Sequence, residues 1–452
     1  MKMRIKGLSA LLLFLVACSS SKKLATAAAP AGTASAADTS LPAPAPRRRA
    51  PRTITVRNIK TDVLLEDLLK AYPQYFDTLL QRRAELKMQV IYTQIDRQAN
   101  NQPVFKTYYF NVDSADYFYP ASTVKLPVAM LALQKLHELR LPGLDRNSSM
   151  ISESAWSGQT PVYNDPTTPD GRPTIAQYVK KILLVSDNDA FNRLYEFLGQ
   201  GYINENLHKM GYSDAEILHR LDIFLTPDEN RHTNPVKFYD PGGRILYGQP
   251  MQYNETKYSQ RNDSLGSGYF SGGQLVQHAM NFSGKNRISL DDLTGILKSI
   301  LFPASVPARQ RFNLTPEDYK FVRQYMSQFP RETIYPSYDT ALYGDAFVKF
   351  LLYGGRKKTL PKTLRIFNKV GDAYGCLTDV AYVADFDKNI EFMLSARIYC
   401  NTDGFLGDDK YDYENIGFPF MQHLGEVIYD YELHRSRPRK PDLNEFKMTY
   451  DK

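Results

Sequence analysis

Three short stretches hold side chains that could do covalent chemistry together. In the first, Tyr119-Pro120-Ala121-Ser122-Thr123-Val124-Lys125 runs straight into the apolar Leu126–Leu131. A Pro-Ala-Ser-Thr start signal before an apolar run predicts a helix with Ser122 at its N-terminus. Lys125 then follows one turn later on the same face. A hydroxyl and an amine held together at the positive end of a helix dipole form an activated nucleophile. Taken alone the pair is weak, because Ser19/Lys22 and Ser20/Lys23 repeat its spacing. The second stretch, Ser186-Asp187-Asn188, is rarer and falls between two expected helices, where polar side chains can project into a cleft. The same residue types also suit a helix-capping turn. In the third, Lys369 lies within the strand-like Phe367–Gly371. A lysine there is costly to bury unless paired, and Gly371 lets a ligand approach the strand backbone.

These residues need a scaffold, and the hydrophobic periodicity supplies one. Leu64 to Leu80 repeats at helical spacing, with Pro73 placed to bend or restart the helix. Lys87–Ile95 and Val104–Phe110 read as a hairpin, and the Ser122 helix should reach Leu139. Helices are expected over 175–184, over 189–198 ending at Gly199, over 290–302 and over 315–328. Residues 236–275, rich in Tyr, Asn, Gly and Ser, read as an insertion without periodicity. Strands are expected over 364–370, 375–384 and 390–398, then a helix over 419–433. Strands at both ends and helices between them imply one α+β domain whose mainly antiparallel sheet draws on both chain ends.

Composition narrows the function. The chain has 452 residues and a formal net charge of +7. Residues 1–52 hold nine Lys and Arg but only one acid, Asp38, so the remainder is near −1. A near-neutral body argues against a nucleic-acid footprint. The seven histidines lack metal-ligand spacing, no Gly-rich phosphate loop occurs, and no cofactor is implied. Lys2, Arg4 and Lys6 precede a short apolar core, Leu8–Val16, which has the form of a secretory signal. Leu15-Val16-Ala17-Cys18 resembles a bacterial lipobox, which implies removal of residues 1–17 and a lipid on Cys18. Residues 18–52, dominated by Ala, Pro, Ser and Thr, would then be a disordered tether ahead of a domain over 53–452. Export makes a disulfide permissible, and Cys376 and Cys400 are either bridged or two buried thiols.

In their order, Ser122-x-x-Lys125, Ser186-Asp187-Asn188 and Lys369-Val370-Gly371 resemble the three motifs of the penicillin-recognising serine enzymes, with flanking residues most like class A β-lactamases. The resemblance implies a five-stranded sheet flanked by helices, an all-helical lobe, and a monomer acting on a small-molecule or peptide substrate with an amide or ester carbonyl. It implies that Ser122 attacks the carbonyl with Lys125 as base. Ser186 would relay a proton to the leaving nitrogen, Asn188 would hold the substrate's amide side chain, and Lys369 would bind its carboxylate. Beside Gly371, the backbone N–H groups of Ser122 and Asp372 would form the oxyanion hole. Membrane attachment through Cys18 would place the enzyme in the bacterial periplasm.

The departures lie in two places. Val370 replaces a hydroxyl residue of the third motif. In the family, an omega loop opens with Arg-x-Glu, whose glutamate activates the deacylating water. This chain has Arg220-Leu221-Asp222, an acid one methylene shorter, in a shorter loop. Arg231 or His232 stands where the family pairs an aspartate with the arginine, and Glu229 is a second acid that could turn inward. Three functions follow as expectations: a β-lactamase-like hydrolase with slow deacylation through Asp222, a cell-wall peptidase or other amidase, or a non-catalytic penicillin-binding sensor.

Overall fold

The computed structural model describes residues 61–452 apart from 357–358. The expected signal segment, Cys18 and the tether lie outside these residues. At the start of the described chain, Pro73 restarts rather than bends the helix. Helix α1 (Val63–Lys70) ends, and α2 (Pro73–Gln81) begins with that proline in its first turn, where a missing N–H costs nothing. Strands β1 (Gln89–Arg97) and β2 (Pro103–Phe110) form the expected hairpin. A 3-10 turn, Ala121–Val124, leads into α3 (Lys125–Leu139), which is buried nearly all round, as an apolar helix in a core must be. Strand β3 (Ser149–Ser152) precedes α4 (Ile175–Val185) and α5 (Asn188–Met210).

One expectation is corrected here. Helix α5 does not stop at Gly199. That residue takes φ 75° and ψ 155° and kinks the helix, which resumes to Met210 because Ile203 and Leu207 bury in the same core as Leu194 and Leu198. Residues 236–275 hold several short strands. After the short helix α6 (Pro227–Arg231) come β4 (Val236–Tyr239), β5 (Ile245–Gln249), β6 (Ser264–Leu265), β7 (Gly268–Ser271), β8 (Gln274–Val276) and β9 (Met280–Asn281). These strands are short and partly exposed, so none repeats long enough to show a period of two.

Helices α7 (Leu290–Leu301) and α8 (Pro316–Ser327) then lead to β10 (Leu364–Ala373), β11 (Cys376–Asp385) and β12 (Ile390–Tyr399). The short β13 (Phe405–Leu406) and helix α9 (Phe418–His434) follow. The main sheet runs β10-β11-β12-β1-β2, antiparallel throughout, so the two chain ends meet where β12 pairs with β1. Alternation along β11 decides which layer covers each face. Val380, Tyr382 and Ala384 join the core of α3, α4, α5 and α7, while Ala381 and Val383 join that of α1, α2 and α9. Helices on both faces explain why β11 and β12 are buried along their whole length. Cys376 and Cys400 are buried free thiols.

Candidate active site

The three motifs converge at one edge of this sheet. Ser122 sits in the 3-10 turn, one turn before α3 rather than inside it, and Lys125 is the first residue of α3. Strand β10 comes close to that turn because residue 371 is glycine. A Cβ there would lie 2.6 Å from Pro120 O, 2.9 Å from Thr123 N and 3.0 Å from Ser122 N. Ser186 caps the C-terminus of α4 in the left-handed conformation, with φ 62°. Asp187 then caps α5, its Oδ1 accepting from Ala190 N at 2.8 Å, so this motif also makes the capping turn. Two helix ends thereby aim Ser186 and Asn188 at the same place.

Both amines converge on Ser186. Lys125 Nζ donates to Ser186 O, to Ser186 Oγ at 3.3 Å and to Asn188 Oδ1 at 2.6 Å. Lys369 Nζ donates to Ser186 Oγ at 2.7 Å and to Val370 O at 2.9 Å. Neither lysine has a carboxylate within ion-pairing distance among the described residues. Burial therefore holds the Lys125 pKa well below the usual lysine value, and the neighbouring Lys369 lowers it further. Burial likewise brings Lys369 down to about 7, against the opposing pull of Asp372 and Asp379.

The loop from Arg220 to Asn234 supplies the remaining acid. Asp222 is exposed, with φ 54°, and its Oδ2 accepts from Asn188 Nδ2 at 3.2 Å. The Asn188 amide thus links Lys125 on one side to Asp222 on the other. Asn192, one turn further along α5, clamps the loop beside it: its Nδ2 donates to Leu221 O at 2.9 Å, and its Oδ1 accepts from Leu221 N at 2.8 Å. Glu229 does not turn inward. It is the third residue of α6, closes a capping box with Thr226 and accepts from Ser157 Oγ at 2.7 Å.

The partner of Arg220 is one that sequence reading missed. Neither Arg231 nor His232 takes the aspartate's place. Glu196 of α5 does, 3.2 Å from Arg220 Nε, while His232 O accepts from Arg220 Nη2 at 2.9 Å. The only signal in the sequence was an acid between Tyr195 and Phe197 on an apolar stretch. Sequence reading also missed the support beneath Lys369. Asn368 Nδ2 donates to the buried Asp379 Oδ1 at 2.8 Å, and Lys349 Nζ donates to Asn368 Oδ1 at 2.6 Å. Among the described residues no group of His, Cys, Asp or Glu is placed to hold a metal ion.

A hydroxyl on a turn before a buried helix, a buried lysine at the start of that helix, and a second lysine on the edge strand fit the resemblance to the penicillin-recognising serine enzymes. A model of the beta-lactamase enzyme family matches residues 73–430, and the chain belongs to that family. Among solved structures it is similar to a beta-lactamase from Sphaerobacter thermophilus DSM 20745, with 14% identity over 80% of this chain and 97% of that one, at a TM-score of 0.43. A class A beta-lactamase from Clostridium kluyveri DSM 555 is 16% identical over 79% and 98%, at 0.44. The protein PBP-A is 14% identical over 81% and 96%, also at 0.44. No curated protein matches the chain.

Proposed function

We propose that this protein is a serine hydrolase that forms an acyl-enzyme through Ser122 on β-lactams or related amides and esters, and releases the acyl group slowly. The observation that carries the reading is the convergence of Lys125 and Lys369 on Ser186. With its amine proton disfavoured by burial, Lys125 loses the longest of its three donated bonds, that to Ser186 Oγ, and its freed lone pair accepts the Ser122 proton as the hydroxyl attacks the carbonyl. The oxygen of Ser186 accepts from both amines, so as its O–H protonates the leaving nitrogen, Lys125 passes the proton taken from Ser122 to that oxygen. Lys369 then attracts the substrate carboxylate, and Asn188 holds the acyl side chain. The N–H groups of Ser122 and Asp372 stabilise the oxyanion, each such donor being worth about a hundredfold or more in rate.

Slow release follows from Asp222. It reaches the site only through Asn188 and is one methylene shorter than glutamate. A well-placed base contributes about a hundred- to ten-thousandfold, much of which a set-back carboxylate forgoes. The same proposal puts the lipid on Cys18 and the enzyme at a periplasmic membrane surface. Incubation with a fluorescent penicillin tests the chemistry. A covalent label that survives denaturation, decays slowly and is lost in Ser122→Ala is expected. Wild type without label, or an equal label in Ser122→Ala, overturns it.

A further inference from the structure

Strand β9 pairs with β6 and ends at Asn281, and the next residue, Phe282, is fully buried. Its N–H donates to Asp263 O at 2.8 Å, continuing that pairing past its end. The ring enters a cluster with Tyr119 and Tyr374. Its centroid lies 5.7 Å from that of Tyr119 at 64° and 5.3 Å from that of Tyr374 at 88°. Tyr119 and Tyr374 are themselves 5.3 Å apart at 77°. All three contacts have the edge-to-face geometry that aromatic rings prefer. Tyr374 belongs to the two-residue turn between β10 and β11, and its φ of 53° suits glycine or asparagine far better than an aromatic residue. A tyrosine held there points to the ring it contributes.

These rings join the two pieces of backbone that carry the oxyanion donors. Tyr119 lies three residues before Ser122, and Tyr374 two residues after Asp372. The turn before α3 and the end of β10 are separate segments, and Phe282 packs on a ring from each. The chain after Phe282 is tied down as well. Asn286 Oδ1 accepts from Leu218 N at 2.7 Å and from His219 N at 3.0 Å, and Tyr117 Oη donates to Asn286 O at 3.1 Å. Given the acyl-enzyme reading, we propose that Phe282 is a positioning residue for acylation, wedged against Tyr119 and Tyr374 so that the Ser122 and Asp372 N–H groups keep the spacing an oxyanion needs. Strands β6 and β9 thereby serve the reaction without touching substrate. Close-packed rings pass on a displacement instead of absorbing it, and donors moved by a fraction of an ångström lose much of their effect.

An oxyanion contact is made in the transition state, so its loss lowers the limiting rate and spares half-saturation. Labelling of the full-length protein by a fluorescent penicillin, followed against concentration, reads both quantities. Phe282→Ala is expected to lower the limiting rate by about tenfold or more and Phe282→Leu by about threefold, each with half-saturation within about twofold of wild type. Phe282→Leu keeps an apolar body, so it decides the test if the alanine variant folds poorly by circular dichroism. Phe76→Leu, which shortens a fully buried ring in the layer across the sheet, should lose thermal stability and keep its rate. With wild type labelled, a wild-type limiting rate in folded Phe282→Leu, a loss confined to half-saturation, or an equal loss of rate in Phe76→Leu would each overturn the role of Phe282 alone. A wild type that takes no label would overturn the acyl-enzyme reading and this role with it.

Discussion

At the scale of single residues, the proposed reaction turns on one side-chain length, that of Asp222. Asp222 takes a left-handed backbone that favours glycine and asparagine, yet among the described residues its carboxylate is held only by the Asn188 amide. Lengthening this acid should bring it nearer the acyl carbonyl without disturbing Ser122 or Lys125. Asp222→Glu is therefore expected to speed decay of the penicillin label by about tenfold or more, and Asp222→Asn to slow it. Labelling itself should change little in either variant. Stopped-flow labelling followed by washout separates the two steps, and equal decay in all three proteins would remove Asp222 from the mechanism. The grouping of these side chains was legible in the sequence, because Ser122, Lys125, Ser186, Asn188 and Lys369 each lie within a short motif. Glu196 was not legible. A buried partner contributed by a distant helix leaves no local pattern, and only the packed fold shows that it faces Arg220.

Among the elements, the site depends on how closely β10 approaches the turn before α3. That approach is set by backbone, and Gly371 permits it. An alanine Cβ 2.6 Å from Pro120 O and 3.0 Å from Ser122 N would force the strand and turn apart. The donors on Ser122 and Asp372 would separate with them. Gly371→Ala is expected to cut the acylation rate by about a hundredfold, the worth of one lost oxyanion donor. The protein should still fold, since β10 keeps its full ladder with β11. Circular dichroism beside the labelling rate checks this, and unchanged labelling in a folded variant would show that the turn moves freely. The elements with long apolar repeats were readable in advance, from α3 to the paired strands of the sheet. The continuation of α5 past Gly199 was hidden because a glycine with positive φ looks like a stop signal, while burial of Ile203 and Leu207 continues the helix.

Over the whole molecule, packing against the β10 edge of the sheet buries three amines: Lys125, Lys349 and Lys369. Among the described residues none forms an ion pair, and their partners are carbonyls, amides and a hydroxyl. Their pKa values are all lowered by burial, that of Lys369 to about 7. In the unfolded chain such amines titrate near about 10.4. From about pH 7 upward the unfolded state therefore binds more protons than the folded one, and stability must rise with pH, by up to about 1.4 kcal/mol per pH unit for each amine. Two other sets of groups act in the opposite direction. Asp292, pushed up to about 8 by burial, keeps its proton in the folded state, and so do the Cys376 and Cys400 thiols, raised by burial, once the unfolded thiols ionise near about 8.5. The clean comparison is between proteins that differ only in one amine. Lys349 suits this, because it stands behind Asn368 and touches no reacting group. Urea unfolding of wild type and Lys349→Met between pH 7 and about 8.5 should give a shallower rise for the variant, by about 1 kcal/mol per pH unit. Parallel slopes would mean that Lys349 keeps its proton in the fold, and that the Asp379 carboxylate beyond Asn368 compensates it more strongly than burial opposes it.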